Sequence, residues 1–306
     1  MAIARFALRD WEETFRSWSK PPSDTEQQKM ENAERLIRDA IRSSKKLTGM
    51  NIEVFAQGSY KNNTNVKQDS DVDICVCLMD VCYTDYVFAQ GLTDADVGLK
   101  PAPYSSRQFR DDVGEALTQR FAATGLKRGD KAFDIHANTY RVDADVVACI
   151  EHRRYSRGLF APQYISGTQF FSDSGKEIVN WPKQHYENGV QKNIATRNRF
   201  KYITRAIKRL RNEMADNGVP AAKSVPSYLT ECLVWNAPDA GLGAESYVPA
   251  FRQSLAHLIV GTLTNESCKE WGEVNELKYL FRGGQPWTRQ QAHEFVIAAW
   301  NYIGFK

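Results

Sequence analysis

Residues 58–78 read GSYKNNTNVKQDSDVDICVCL, and the alternation that closes this stretch decides the fold. In an extended chain Asp71, Asp73, Cys75 and Cys77 fall on one side, and Val72, Ile74, Val76 and Leu78 on the other. Two carboxylates therefore stand at the mouth of an otherwise apolar strand, about 7 Å apart by the rise of two residues. Alone, such a pair commonly marks a solvated strand end. Held side by side, however, the two acids repel, and a hard divalent ion with oxygen ligands relieves that repulsion. Mg2+ (or Mn2+) is the expected cofactor.

Working outward, residues 51–57 (NIEVFAQ) alternate as a second strand and end in the Gly58-Ser59 turn. Residues 22–47 carry Ser23 or Asp24 as a cap, with acids early and lysines late, which predicts a long helix. Residues 80–103 read as polar loop. Helical spacing of Phe109, Val113, Leu117 and Phe121 predicts a helix over 106–123. Strands are expected again at 132–136 and 140–150. The second of these, in YRVDADVVACIEHRRY, supplies a third carboxylate. Asp143 and Asp145 share a face, and Asp145 is preferred because it directly abuts the apolar run DVVAC, as Asp73 abuts ICVCL. Three such carboxylates make a clamp for two metal ions in phosphoryl or nucleotidyl transfer.

From residue 181 the texture turns helical, with segments expected at 200–214, 227–236, 248–263 and 287–303, divided by loops such as NAPDAGLGAES and RGGQPW. The expected architecture is an α/β lobe over 1–180, a mixed sheet with flanking helices and a long N-terminal helix, followed by a helical lobe over 181–306.

The chain has 306 residues, 42% hydrophobic and 25% charged, ordinary values for a globular protein with a sizeable core. A net charge of +3 gives no reason to expect nucleic acid bound over the whole surface. Six cysteines lie without a CxxC pair, which argues for buried free thiols and against a zinc site. The N-terminus lacks the apolar core of a signal peptide and no run is long enough to span a membrane, so a cytoplasmic protein is expected.

One segment concentrates charge. Residues 192–211, KNIATRNRFKYITRAIKRLR, hold eight Lys and Arg and no acid. Lys201, Arg205 and Lys208 recur at helical spacing and share a face suited to phosphates. The same charges would serve an RNA or DNA backbone. Tyr228 and Tyr202 are candidates to stack on a base. His185 is read as a hydrogen-bonded structural residue.

Gly58-Ser59, eleven intervening residues and then Asp71-Val-Asp73-Ile resemble the motif of the nucleotidyltransferase superfamily that includes DNA polymerase β. VDADVVAC, NWPKQHYENG and PSYLTECLVWN are similar to segments of the bacterial CD-NTases, relatives of animal cyclic GMP-AMP synthase and of oligoadenylate synthases that occur beside antiphage (CBASS) effectors. The resemblance implies a polymerase β-like core with a helical lobe, in which Gly58 and Ser59 cradle the donor triphosphate. It further implies that Asp71, Asp73 and Asp145 hold two metal ions, that Asp145 helps activate a ribose hydroxyl, and that Lys201 and Ser227 touch the triphosphate. Substrates would be ATP, GTP, CTP or UTP, and the product a cyclic or linear oligonucleotide messenger for an effector protein, made by a monomer with or without an RNA or protein activator. Two other readings stay open: transfer to an RNA, small-molecule or protein acceptor, and a nucleotide sensor without catalysis.

Overall fold

A computed structural model describes residues 9–66, 71–122 and 124–306. In chain order its elements are α1 (Trp11–Trp18), α2 (Asp24–Arg42), β1 (Ile52–Ala56), α3 (Gly58–Lys61), β2 (Val72–Phe88), α4 (Ser106–Phe121), β3 (Leu126–Arg128), β4 (Phe133–Ile135), β5 (Ala144–Ser156), β6 (Gln163–Phe171) and β7 (Glu177–Asn180). There follow α5 (Pro182–Ala195), α6 (Arg199–Asp216), α7 (Pro220–Lys223), α8 (Ser227–Trp235), α9 (Asp239–Leu242), α10 (Tyr247–Gly261) and α11 (Arg289–Ile303). Internal contacts divide the chain into two units. A sheet unit takes Ser23–Lys61 and the chain from β2 to Pro182, and a helical unit takes the chain through Pro22, a short segment starting at Asn62, and Lys183–Lys306.

In the sheet unit the strand order is β1-β2-β5-β4-β3, with β6 paired to β5 and β7 to β6. Only β2 and β5 run parallel; the other pairs are antiparallel. Alternation works as the sequence requires. Val72, Ile74, Val76, Leu78, Ala144 and Val146 pack on Met30 and Ile37 of α2 and on Phe109, Val113 and Leu117 of α4. The opposite face buries Cys75, Cys77, Cys149 and Phe170. Helix α2 begins with a capping box, in which Ser23 Oγ accepts from the Glu26 backbone N–H and the Glu26 carboxylate accepts from the Ser23 N–H. In α4, Gly114 is needed for close approach, since a Cβ there would lie 2.8 Å from the Phe133 ring.

Several expectations need correcting. The segment after Met79 is no loop: β2 continues to Phe88, because its Tyr, Thr and Val residues suit a strand and Tyr83, Thr84 and Asp85 pair with His152, Arg153 and Arg154 of β5. β5 starts at Ala144 rather than near Tyr140, since Asn138 Oδ1 accepts from the N–H groups of Tyr140 and Arg141 and closes a turn there. The strands β3, β6 and β7 were not expected. β6 carries Gly167, paired with His152, where a Cβ would meet the Trp181 ring at 2.7 Å, so its side-chain alternation is broken in sequence.

The helical unit has its own core. Phe200, Ile203, Ile207, Leu210 and Met214 line one side of α6 and pack with Leu229, Cys232 and Leu233 of α8, Phe251 and Leu255 of α10, and Phe295 and Ile303 of α11. Trp11 and Phe15 of α1 join this core, and the Phe15 ring stacks flat on Phe251 at 3.7 Å. The basic stretch 192–211 is not one helix: Arg197 and Asn198 adopt left-handed φ values of 52° and 67° between α5 and α6.

Candidate active site

Asp71 immediately precedes β2 and is exposed, whereas Asp73 and Asp145 are half-buried. In the parallel ladder Asp73 sits directly opposite Asp145. Register neighbours project to the same side of a sheet, so the two carboxylates share the face that also carries Cys75 and Cys149. On its other side Asp145 pairs with Asp134 of β4, which extends the row of acids across three strands. Asp134 was missed in the sequence, although AFDIH repeats the apolar-Asp-apolar pattern of VDI. Asp143 turns to local use, its Oδ1 accepting from the Ala137 N–H at 2.7 Å.

Burial, and then the neighbouring carboxylates of Asp134, Asp71 and Asp143, push the Asp145 carboxyl above its ordinary range. Among the described residues no three Asp, Glu, His or Cys side chains already form a metal-holding group. The donor set nonetheless fits a hard cation: oxygen ligands only, on adjacent strands, with an excess of negative charge that raises the affinity of the buried member for a counter-ion or a proton.

Gly58 opens the one-turn helix α3 in the left-handed region at φ 64°, and a Cβ on it would lie 2.0 Å from Asp73 Oδ2. The Gln57 N–H donates to the Asp73 carbonyl at 2.8 Å. The glycine backbone is therefore laid against the Asp73 carboxylate, an approach open only to a residue without a side chain. Ser59, half-buried, follows in the same turn. The sheet unit thus brings together Gly58, Ser59, Asp71, Asp73 and Asp145.

Lys201, Ser227 and Tyr228 belong to the helical unit. Lys201 is half-buried, with Nζ 5.8 Å from the centroid of the Tyr186 ring; burial lowers its pKa, and Glu231 works against that. Ser227 is the first residue of α8. Tyr228 Oη donates to Glu273 Oε2 at 2.9 Å, its ring leans on Trp287 and His185, and burial pushes its phenol well above the usual value. Arg205 and Lys208 do not present a phosphate-binding face. Arg205 is buried and donates to the carbonyls of Ser19 and Asn63, while Lys208 Nζ donates to Glu231 Oε2 at 2.7 Å with 2% of its surface exposed. Helical spacing groups side chains but does not say which side of the helix meets solvent. His185 is buried, its Nε2 2.9 Å from Glu231 Oε1.

Two family models match the chain: a nucleotidyltransferase domain over residues 35–102 and a cGAS/DncV-like nucleotidyltransferase C-terminal helical domain over 187–304. A cyclic dipyrimidine nucleotide synthase CdnE of Legionella pneumophila is 50% identical over 294 residues, covering 96% of this chain and 98% of that protein. A second protein of that description, from Cecembia lonarensis, is 42% identical with the same coverage. Among solved structures, the Elizabethkingia meningoseptica CdnE cyclic dinucleotide synthase with GTP and Apcpp superposes with a TM-score of 0.80 at 33% identity, covering 97% of this chain and 100% of that one. By motif, fold and these similarities, the chain belongs to the CD-NTase family of nucleotidyltransferases, within the DNA polymerase β-like superfamily.

Proposed function

We propose that the chain is a cyclic dinucleotide synthase that joins two nucleoside triphosphates, at least one of them a pyrimidine nucleotide, and releases pyrophosphate at each transfer. The observation that carries this reading is the Asp73–Asp145 pair in register, with the Gly58 backbone laid on the Asp73 carboxylate. The pyrimidine preference rests on the two cyclic dipyrimidine nucleotide synthases at 50% and 42% identity, against 34% for a cyclic dipurine nucleotide synthase of Elizabethkingia meningoseptica.

Asp71, Asp73 and Asp145 would hold two Mg2+ or Mn2+ ions, which would supply charge neutralisation during the transfer. Gly58 and Ser59 cradle the donor triphosphate with backbone donors, and Lys201 and Ser227 bind its outer phosphates. Tyr228 supports a base through its ring. A ribose hydroxyl oxygen of the acceptor attacks the α-phosphorus, forming an O–P bond while the bond to the β-phosphate oxygen breaks and pyrophosphate leaves with the electron pair. Asp145, on the strand beside Asp73, receives the hydroxyl proton. A second transfer closes the ring. The product serves as messenger to an effector protein in the cytoplasm, within an antiphage system.

The test is incubation of the purified protein with labelled ATP, GTP, CTP and UTP, singly and in pairs, with Mg2+ or Mn2+, followed by phosphatase. A phosphatase-resistant product containing CMP or UMP, absent from the Asp71→Asn/Asp73→Asn variant, is expected. A product built from purines alone would overturn the base preference, and an undiminished double variant would overturn the site.

A further inference from the structure

One acid in the row across the sheet has no part in the reaction so far. Asp134 sits at the centre of the three-residue strand β4, directly opposite Asp145 in an antiparallel pair. The two side chains therefore leave the same face of the sheet, with their Cα atoms about 4.5–5.5 Å apart. Both are half-buried. On its outer side Asp134 is in register with Lys127 of β3, which is exposed and forms no ion pair with it.

Other acids of this unit have a donor within the chain. Asp143 accepts from the Ala137 N–H, Asp80 from the Asn51 N–H, and Glu151 from Arg153 and Ser166. Among the described residues nothing donates a hydrogen bond to the carboxylate of Asp134 or of Asp145. Gly129 lies beside Asp134 and, having no side chain, leaves it uncovered: a Cβ there would be 3.5 Å from Asp134 Oδ1. Keeping a partly desolvated carboxylate without a donor is costly unless a ligand supplies one. A metal ion shared with Asp73 answers that need for Asp145. It does not answer for Asp134, which stands on the far side of Asp145, two strand spacings or about 10 Å from Asp73.

An ionised carboxylate accepts hydrogen bonds and donates none, so Asp134 suits hydroxyls and repels phosphate. The group that comes to Asp145 in the reaction is a ribose hydroxyl, and a ribonucleotide carries a second hydroxyl on the neighbouring carbon. Bonds from a hydroxyl to a carboxylate span about 2.5–2.7 Å, so two carboxylates on paired residues can each accept from one hydroxyl of such a pair. We propose that Asp134 is a specificity-determining residue that reads the acceptor ribose: while Asp145 takes the proton of the attacking hydroxyl, Asp134 accepts a hydrogen bond from the hydroxyl beside it. This rests on the reaction proposed above. No bond is made or broken at Asp134; it makes a ribonucleotide the preferred acceptor and steadies the attacking oxygen from the side of Asp145 away from Asp73.

The experiment crosses Asp134→Ala with sugar analogues. Product formation by wild type and variant, both shown to be folded by thermal melting, is followed with ribonucleoside triphosphates and with their 2′-deoxy and 3′-deoxy analogues. The analogue that still reacts keeps the attacking hydroxyl and lacks its neighbour. A hydrogen bond to an ionised acceptor supports about a 10- to 100-fold effect. Expected for Asp134→Ala is a fall of at least about tenfold in kcat/KM with the ribonucleotide; with the analogue, wild type is already reduced that far and the variant stays within about threefold of it. No fall, or equal falls on ribonucleotide and analogue, overturns the proposal, and so does a fall that follows the base rather than the sugar. If wild type turns over neither analogue, their inhibition constants are compared by the same criteria. Should Asp134→Ala not fold, Asp134→Asn takes its place. An inert wild type overturns the proposed reaction itself, a result distinct from an active wild type whose sugar preference survives in Asp134→Ala.

Discussion

Substituting Gly58 by alanine separates the fold from the chemistry. An added Cβ would sit 2.0 Å from Asp73 Oδ2, whereas non-bonded carbon–oxygen contacts begin near about 3.3 Å. Either the carboxylate or the α3 turn must therefore move by more than about 1 Å. The clashing atom ends a short side chain that is only half-buried, so it can swing aside without unpacking the core. The structural cost is then chiefly the left-handed φ of 64°, about 1–2 kcal/mol for an L-residue. The cost to activity is larger. A reacting group displaced by about 1 Å loses about 100-fold in rate, equivalent to about 2.7 kcal/mol of transition-state stabilisation. The assay is cyclic dinucleotide formation at saturating nucleotide, beside urea unfolding of the same preparation. Gly58→Ala with kcat within threefold of wild type would refute the idea that close backbone approach orders the metal ligands.

Asp145→Asn is expected to abolish synthesis yet raise the melting temperature at pH 7 in metal-free buffer. The native state holds the Asp145 pKa above its unfolded value, so its ionised form destabilises the fold above that range, and the advantage of the amide should shrink as pH falls toward about 4. Mg2+ should raise the melting temperature of wild type only; a variant no more stable than wild type without metal would contradict the assigned repulsion. Lys208→Met removes the lysine partner of the buried Glu231 carboxylate, leaving it Thr64 and His185, and should cost about 3–5 kcal/mol in urea unfolding. Burial opposes ionisation of Glu231, but Lys208 and His185 overcome it and hold the carboxyl well below its usual range, so this stability is present above about pH 4.3 and lost as pH falls. The variant should show a flatter acid limb. Tyr228→Phe keeps the ring but loses the bond to Glu273, so a loss of about 1 kcal/mol in stability with near-normal kcat is expected, while Tyr228→Ala weakens nucleotide binding. Equal defects in both would exclude a role for the ring.

Strict alternation made β2 legible from Val72 to Leu78, and the same periodicity put Asp73 and Asp145 on matching faces. It could not show that the two strands are register partners, because that depends on a parallel pairing across a crossover. Asp134 escaped notice because three residues of strand are too few to reveal a period. The basic helix was legible as amphipathic, but Lys208 and Arg205 look from sequence like a solvated face; only Glu231, 23 residues beyond Lys208, and the carbonyls of Ser19 and Asn63 reveal them as internal partners. Glu231 itself gave a signal in retrospect, a lone acid in the apolar run SYLTECLVW. The bend at Arg197 and Asn198 carries neither Gly nor Pro, and its one mark in the sequence is Asn198, a residue type that tolerates left-handed φ.

The flat stacking of Phe15 on Phe251 also governs the order in which the protein is made. Residues 11–18 are translated more than two hundred residues before Phe251 of α10, on which Phe15 comes to rest. Until then the rings of Trp11, Phe15 and Trp18 travel on a short helix whose core is incomplete, and a helix of that length barely holds together in water. This helix therefore completes its packing only once α10 has been made, and a nascent chain stalled before residue 251 would leave the Phe15 ring without its stacking partner.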